Sequence, residues 1–217
     1  KRVIAFSLWL PPHASAARGY VAGARANALL AAKYFPGWTV RFYIDGTTGP
    51  RNRAKLNATG TEEIVVMEAA PGSLGMLWRF LPASDPTVDR FIVRDTDSRL
   101  SARDAFAVQE WVTSGKAVHI LHEVPAHGAF IMGGMLGARK SAFPDMKTLV
   151  DRKLHNEKVG YGEDQKFLEW VWKTSGLTPD DAMHHDAIPC RKQGKQMKQS
   201  RMFPTQRLWS MEFVGFV

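Results

Sequence analysis

The sequence predicts a single α/β domain with a mostly parallel central sheet flanked by helices. Short apolar runs alternate with Ala- and Leu-rich segments over the first half of the chain, and this alternation is typical of a parallel sheet. The length of 217 residues fits one domain with a substantial core. The apolar run at 91–93 indicates a buried strand, and it leads directly into Asp95 and Asp97.

The elements of the first half follow from periodicity and from turn residues. The apolar run 3–9 is the first strand, and residues 19–35 form a helix that ends at Pro36-Gly37. Residues 39–44 alternate apolar and polar side chains and end at the turn pair Asp45-Gly46, which predicts the second strand. This half is completed by strands at 64–67 and 91–93 and a short helix at 76–81.

The second half is less regular. A helix is expected at 102–114 with Ser101 as its N-cap. Further strands are expected at 118–121 and 131–136, and helices at 145–154 and 163–174. The tail from Asp186 is polar and basic, with enough apolar side chains to pack on the body: Phe203, Leu208, Trp209, Phe213, Val214 and Phe216.

The composition restricts the partners and the compartment. The net charge of +8 suits anionic partners such as nucleic acid, acidic membrane surfaces or phosphorylated small molecules. The lone cysteine, Cys190, excludes an intrachain disulfide and favours a cytoplasmic location. No apolar run reaches the length of a membrane span. Basic residues concentrate in the tail, as a solvated face or as phosphate contacts: Arg191, Lys192, Lys195, Lys198, Arg201 and Arg207.

Asp95-Thr96-Asp97 is the clearest candidate for a functional motif. A chance Asp-x-Asp is not rare in a chain of this composition, so its position after a predicted strand carries the argument. Ligands of α/β folds bind at the carboxyl ends of strands. Two carboxylates at such an end can hold a divalent cation, which can in turn hold a diphosphate.

Six segments, in their order along the chain, carry a resemblance to a known family. They are Tyr34-Phe35-Pro36-Gly37-Trp38, Trp78-Arg79, Arg94-Asp95-Thr96-Asp97-Ser98-Arg99, Gly133-Gly134-Met135, Gly162-Glu163-Asp164-Gln165 and Phe203-Pro204-Thr205-Gln206-Arg207. Together they resemble the GT-A type of nucleotide-sugar-dependent glycosyltransferases, in particular a group of small bacterial and viral enzymes. The resemblance covers nearly the whole chain. It departs at His122-Glu123, where the group has a basic residue followed by an acidic one.

The resemblance implies one Rossmann-like GT-A domain over residues 1–217, with a nucleotide-binding half at about 1–100. An acceptor half with a closing C-terminal tail would occupy about 101–217. The implied reaction moves a sugar from a nucleoside diphosphate, with UDP the expected carrier, to a glycan, glycoprotein or other hydroxyl acceptor. The implied cofactor is Mn²⁺ or Mg²⁺, bound directly by Asp97, while Asp95 shares the metal or binds a ribose hydroxyl.

Two pairs of adjacent residues are further candidates under this resemblance. His184 and His185 are either surface loop histidines or contain one additional metal ligand, with a slight preference for His185. Glu163 and Asp164 begin a helix, where acids are favoured by the helix dipole alone. The functional alternative makes Asp164 the general base of an inverting transfer, and a retaining transfer stays open.

The remaining candidates would contact the donor, and most have a structural alternative. The alternative to a nucleoside contact is a core position for Trp9 and a turn-forming role for Asp45. For Arg79 the two alternatives are a pair with Asp95 and a contact with a phosphate. Arg25 and Asn27 are expected on a solvated helix face. The full set of candidate donor contacts is Ser7, Leu8, Trp9, Asp45, Arg79, Asp95, Thr96, Gly133, Gly134, Lys195 and Arg207.

Two other functions compete with sugar transfer. A phosphatase of the haloacid-dehalogenase type also uses Asp-x-Asp, but that family has the motif on its first strand, whereas here it follows about the fourth. A basic module that binds nucleic acid would suit the charge. No recognised nucleic-acid motif is present, and aromatic residues do not interleave the basic ones, so we expect no nucleic-acid partner.

Overall fold

The centre of the fold is a mixed sheet. The structure is a computed structural model that describes residues 1–10, 14–123, 128–143, 145–156, 162–187, 200–207 and 214. Eight strands of the described residues form the sheet: β1 (Arg2–Leu8), β2 (Trp38–Ile44), β3 (Glu63–Val66), β4 (Arg90–Val93), β5 (Val118–His122), β6 (Leu136–Arg139), β7 (Ala182–Asp186) and β8 (Ser200–Arg201).

Helices cover both faces of this sheet. The described α-helices are α1 (Ala14–Tyr34), α2 (Gly49–Leu56), α3 (Ala102–Ser114), α4 (Met146–Asn156) and α5 (Glu163–Thr174). A long 3₁₀ helix, Leu74–Ser84, packs with α4 and α5 on one face, and α1 to α3 pack on the other. Among the described residues, we find no helix with the length and apolar character that crossing a membrane requires.

The strand order makes the sheet mostly parallel, as the sequence predicted. The order is β3-β2-β1-β4-β6-β5-β7-β8, and β6 runs antiparallel to both β4 and β5. The other pairs are parallel, so β1, β2, β4, β5 and β7 all end at the same edge. Ligand sites of open α/β sheets lie at this carboxyl edge.

The central strands are apolar because both of their faces are buried. On β1, Val3 and Ala5 pack against the 3₁₀ helix side, while Ile4 and Phe6 pack against the α1 side. Such strands lack the alternation of half-exposed strands and appear in a sequence as continuous apolar runs. This burial explains why β1 and β4 could be located from composition alone.

Four elements differ from the sequence-based prediction. The strand predicted at 131–136 is wrong in its bounds, since residues 131–135 form a turn closed by Met135 N–H donating to Met132 O at 3.1 Å, and β6 begins at Leu136. The prediction omitted α2, which buries only Leu56 and therefore has no apolar stripe. It also omitted β7 and β8, whose sequences Ala-Met-His-His-Asp and Ser-Arg are largely polar.

Candidate functional site

The loop after β4 carries Asp95, Thr96 and Asp97 and is held by helix α1. Asn27 Nδ2 donates to Ser98 O at 2.8 Å, and Asn27 Oδ1 accepts from Leu100 N–H at 3.0 Å. One turn earlier on α1, a Cβ at Gly23 would lie 2.1 Å from Thr96 O, so only glycine allows this approach. The expected solvated position is therefore wrong for Asn27, which is fully buried, and correct for Arg25, which is exposed.

Replacing Asn27 should loosen this loop. Asn27→Leu keeps the volume but leaves Leu100 N–H buried without its partner, while Ser98 O loses the amide and keeps Arg99 Nη1 at 2.8 Å. An unsatisfied buried group costs about 1–3 kcal/mol, so we expect the free energy of unfolding to fall by about 1–3 kcal/mol in urea denaturation. Arg25→Ala on the exposed face of the same helix is the control, with a change within about 0.5 kcal/mol. An unchanged urea midpoint in Asn27→Leu would contradict this role.

Arg79 joins Asp95 to Asp164 at the carboxyl edge. Its Nη1 is hydrogen-bonded to Asp95 Oδ1, and its Nη2 lies 2.7 Å from Asp164 Oδ2. Arg79 and Asp164 are buried, whereas the Asp95 side chain is 39% exposed. Burial opposes the charged guanidinium, but the charges of Asp95 and Asp164 outweigh it and raise the pKa of Arg79. The structure thus brings three sequence-predicted residues together.

Gly133 and Gly134 leave room for these carboxylates. A Cβ at Gly133 would lie 1.8 Å from Asp164 Oδ2, and one at Gly134 would lie 1.9 Å from Asp95 Oδ2. Both distances are far below van der Waals contact, so any side chain here would displace an aspartate. The close approach expected of a sugar is made in this structure by the two carboxylates, and a contact of either glycine with the donor stays a prediction.

Asp95 and Asp97 are suited to a divalent cation. The Asp97 side chain is open to solvent at the mouth of the loop. Crowding by surrounding protein, followed by the negative charge of Asp95, raises the pKa of Asp97, as expected for two carboxylates that lack enough positive charge. Among the described residues, no three His, Cys, Asp or Glu side chains are arranged to hold a metal ion. Two carboxylates could hold an ion that also takes water and substrate phosphate as ligands, as Mg²⁺ usually does.

His184 and His185 lie on the buried strand β7, so their expected position in a surface loop is wrong. Strands β5 and β6 separate β7 from β4, and three strand spacings of about 4.8 Å place β7 about 14 Å from β4. The structure therefore does not bring either histidine to Asp95 and Asp97.

The two imidazoles have different surroundings. His185 Nδ1 lies 2.8 Å from His119 Nε2, and His185 Nε2 lies 3.0 Å from Glu110 Oε2, so both of its nitrogens are hydrogen-bonded. His184 packs near Phe130, and neither of its nitrogens has a hydrogen-bond partner among the described residues. Burial lowers the pKa of His184 to about 4 and also lowers the pKa of His119 and of His185.

These neutral histidines should make the fold acid-sensitive. In the unfolded chain His184 takes up a proton below about pH 6.5, whereas in the folded protein it does so only near pH 4. Between these pH values the unfolded state binds more protons than the folded state, so stability falls as the pH falls. His184→Phe should reduce the slope of unfolding free energy against pH by up to about 1.4 kcal/mol per unit. Urea midpoints from pH 4 to 7 measure this slope, with His155→Gln on the exposed surface as the control. An unchanged slope in His184→Phe would contradict the prediction.

The two acids that begin α5 face different partners. Glu163 pairs with Lys166 at 2.8 Å and with Lys153 at 3.2 Å. These hydrogen bonds lower the pKa of Glu163, and the one from Lys166 has the larger effect. Asp164 points into the protein and is bonded to Arg79. The two neighbouring acids therefore differ in their partners: Glu163 pairs with two lysines, whereas Asp164 pairs with Arg79 at the carboxyl edge.

Glu123 holds the C-terminal segment to the body. Glu123 is fully buried and lies 3.2 Å from Arg103 Nε and 2.8 Å from Arg207 Nε. Arg103 also donates to Thr205 O and lies over the Phe203 ring. Arg207, a predicted diphosphate contact, is therefore bound to Glu123 in this structure. The other predicted diphosphate contact, Lys195, lies outside the described residues.

The predicted nucleoside contacts end β1 and β2, next to each other at the carboxyl edge. Ser7 and Leu8 are buried, Ser7 Oγ donates to Met76 O at 3.4 Å, and Trp9 is half-buried against the core. Asp45 caps the turn after β2 by accepting from Thr47 N–H at 3.0 Å. Asp45 therefore has the turn-forming role that the sequence left open, and base or ribose contacts of these residues stay predictions.

The sequence prediction missed several buried polar residues that hold the loops and strand ends of the site in place. Arg94 and Asp104 form a buried ion pair of 2.6 Å that ties the end of β4 to α3. Asn27 and Gly23 fix the loop, and Arg103 with Glu123 fixes the tail. Their sequence signal was weak, because an isolated polar residue on a helix is normally exposed.

Comparisons with known proteins identify the fold. No family model and no curated protein matches the sequence. Galactosyltransferase LgtC, solved with donor and acceptor sugar analogs, is 14% identical with a TM-score of 0.52 over 86% of this chain and 74% of that chain. Residues 1–349 of TarS from S. aureus are 10% identical with a TM-score of 0.54, over 79% of this chain and 55% of that chain.

A third solved structure, 4-diphosphocytidyl-2C-methyl-D-erythritol synthase from Anaerococcus prevotii, is 10% identical with a TM-score of 0.52 over 84% of this chain and 86% of that chain. Similarity at such low identity establishes the fold rather than the activity. The mostly parallel sheet flanked by helices agrees with this group of structures. The chain has the GT-A fold of the nucleotide-diphospho-sugar transferases.

Proposed function

We propose that this protein is a metal-dependent glycosyltransferase that moves a sugar from a nucleoside diphosphate, with UDP as the proposed carrier, to a hydroxyl of a glycan or glycoprotein. The observation that carries the proposal is the pair Asp95 and Asp97 at the carboxyl edge, joined through Arg79 to the buried Asp164. Solved structures with this fold include galactosyltransferase LgtC, and TarS has been solved with UDP and with UDP-GlcNAc.

The donor side of the proposed site uses Asp95 and Asp97. These carboxylates would hold Mn²⁺ or Mg²⁺, which acts as a Lewis acid on the departing diphosphate. Arg207 and Lys195 are the proposed diphosphate contacts of the tail. Ser7, Leu8, Trp9, Asp45 and Thr96 lie at or beside the ends of β1, β2 and β4, and we propose that they surround the nucleoside.

The acceptor side uses Asp164. Its carboxylate lies within the reach of one guanidinium from Asp95, so an acceptor hydroxyl near Asp164 is also near a donor bound at Asp95. A general base accepts the proton of the attacking hydroxyl, and the attack then inverts the anomeric carbon. Glu163 is less suited to this role, since its carboxylate pairs with Lys153 and Lys166 and not with Arg79, which joins Asp164 to Asp95.

A nucleotidyl transfer is the second candidate, because the 4-diphosphocytidyl-2C-methyl-D-erythritol synthase has the same fold with a similar TM-score. That reaction class joins a nucleoside triphosphate to a phosphorylated alcohol and releases diphosphate. The Asp-x-Asp loop and the position of Asp164 favour sugar transfer. Binding of nucleoside triphosphates in preference to diphosphates would favour the second candidate.

Nucleotide-dependent stabilisation tests the proposal. We expect UDP with Mn²⁺ to raise the melting temperature, with a stabilisation of about 2.7 kcal/mol at a ligand concentration of 100 times Kd. EDTA should remove most of this shift, since Asp95 and Asp97 would then repel the diphosphate. GDP, CDP, CTP and a short oligonucleotide are the comparison ligands. A shift with the oligonucleotide alone would refute sugar transfer and select a nucleic-acid module.

A further inference from the structure

The guanidinium of Arg79 pairs with two carboxylates, Asp95 and Asp164, which the proposed function assigns to different substrates. Arg79 is on the 3₁₀ helix Leu74–Ser84 and is almost fully buried. It gives Nη1 to Asp95 on the donor side and Nη2 to Asp164 on the acceptor side. Among the described residues, no other Lys or Arg side chain bonds either carboxylate, so a single positive charge is divided between them.

The site has more negative than positive side chains. When they are ionised, Asp95, Asp97 and Asp164 contribute three negative charges, and Arg79 supplies one positive charge. The nearby Arg99 donates through Nη1 to Ser98 O at 2.8 Å and bonds none of the three carboxylates in the described part of the chain, although its charge also acts on Asp97. Two of the three carboxylate charges are therefore not matched by a bonded cationic side chain, and a divalent cation could neutralise them. The cation and Arg79 therefore both interact with Asp95, and they must share or exchange it.

The packing limits where Arg79 can go. A Cβ at Gly133 would lie 2.7 Å from Arg79 Nη2, and one at Gly134 would overlap Asp95, so the backbone at 133–134 closes one side of the group. The guanidinium also lies 5.7 Å from the centre of the Phe80 ring. A cation at Asp95 would repel Arg79, and the buried partner that Arg79 already contacts is Asp164.

We propose that Arg79 is the counter-ion of the donor-side carboxylate, that a divalent cation displaces it from Asp95 toward Asp164, and that it thereby positions Asp164 when the donor is loaded. This inference rests on the proposed function, because it takes Asp95 as a metal ligand. Arg79 is a positioning residue, since it acts on the acceptor through Asp164.

Measurement of Mn²⁺ affinity tests the displacement without turnover. Arg79→Met removes the charge that competes with the cation for Asp95. Mn²⁺ in the presence of UDP should therefore bind about tenfold more tightly, which is the size of the effect that a neighbouring charge has on the proton affinity of a carboxylate. Arg79→Lys keeps the charge but not the two-pronged geometry, and its affinity should lie between the two. Free Mn²⁺ counted by electron paramagnetic resonance gives the affinity.

The control is Arg90→Met at the opposite end of β4, where the arginine pairs with the exposed Asp89. This control removes one positive charge as well, and its Mn²⁺ affinity should equal that of the wild-type protein. Weaker or unchanged Mn²⁺ binding in a folded Arg79→Met protein would overturn the inference. If Arg79→Met does not fold, Arg79→Lys carries the test, and wild-type Mn²⁺ affinity in it would overturn the inference as well.

Transfer kinetics test the link to Asp164. Arg79→Met should lower transfer in the wild-type background and have little further effect in an Asp164→Asn background, because both changes disable the same group. Additive losses would overturn the positioning role. If the wild-type protein binds no Mn²⁺ with UDP, the proposed function fails and this inference fails with it. If it binds and transfers while the Arg79 variants behave as the wild type, only this inference fails.

Discussion

Asp97→Ala is expected to lower the rate of sugar transfer by about 10²–10⁴, because metal stabilisation of the leaving diphosphate contributes several kcal/mol. The loop around Asp97 should remain in place, since Asn27 holds it through Ser98 and Leu100 rather than through the Asp97 side chain. Initial rates with saturating Mn²⁺ and donor measure the loss. Asp89→Ala, an exposed aspartate just before β4, is the matched control and should keep wild-type activity.

Stability distinguishes a lost ligand from a damaged fold. The pKa of Asp97 is raised in the folded protein, so its ionised form is disfavoured there, and the associated stability is lost as the pH rises through the folded pKa. Asp97→Asn removes this unfavourable charge, and at pH 7 without metal its melting temperature should equal or exceed that of the wild-type protein. A lower melting temperature together with lost activity would assign Asp97 a structural role, and near-normal transfer would refute its role in metal binding.

The position of Asp95 and Asp97 after β4 could be predicted from the sequence because its information is local. The apolar residues of β4 are followed within four residues by both aspartates, and a buried strand in a parallel sheet must end at the carboxyl edge. Gly162, with a φ of 80°, is the N-cap of α5 and directly precedes Glu163 and Asp164. Such features depend little on the remainder of the chain.

The supporting residues could not be predicted because their environment is created by distant segments. Asn27 is isolated on an Ala-rich helix and becomes buried only because the loop some 70 residues later folds onto α1. The polar sequence of β7 becomes a strand because β5 and β8 supply backbone partners and Glu110 on α3 receives His185. A strand of this kind has no periodicity that a sequence reveals, since tertiary partners determine it.

The tail illustrates a partial prediction. Its apolar residues were expected to pack on the body, and Phe203 and Val214 are indeed buried beside Leu121 and Met135. The other apolar residues of this prediction lie outside the described residues: Leu208, Trp209, Phe213 and Phe216. The prediction did not foresee that Glu123 would hold Arg207. A diphosphate at Arg207 would have to compete with that carboxylate, so the departure from the family at His122-Glu123 affects the surroundings of the proposed donor site.

Asp164→Asn is expected to lower transfer by about 10²–10⁴, the usual loss when a general base is removed. Asparagine keeps the size of the side chain and can still accept a hydrogen bond from Arg79, but it cannot take the proton of the acceptor hydroxyl. Calorimetry should therefore still show binding of UDP with Mn²⁺, weakened only as far as Arg79, without the charge of Asp164, competes more strongly for Asp95. Initial rates at saturating acceptor measure the loss.

The neighbouring acid provides the control for this prediction. Glu163→Gln removes a carboxylate one residue away that faces Lys153 and Lys166, so it should reduce transfer only slightly. Equal losses in the two variants would point to a damaged start of α5 instead of a missing base. The anomeric configuration of the product, read by NMR, decides the chemistry. An inverted product is expected if Asp164 activates the acceptor, whereas a retained configuration would exclude this role and leave Asp164 as a group that orients the substrate through Arg79.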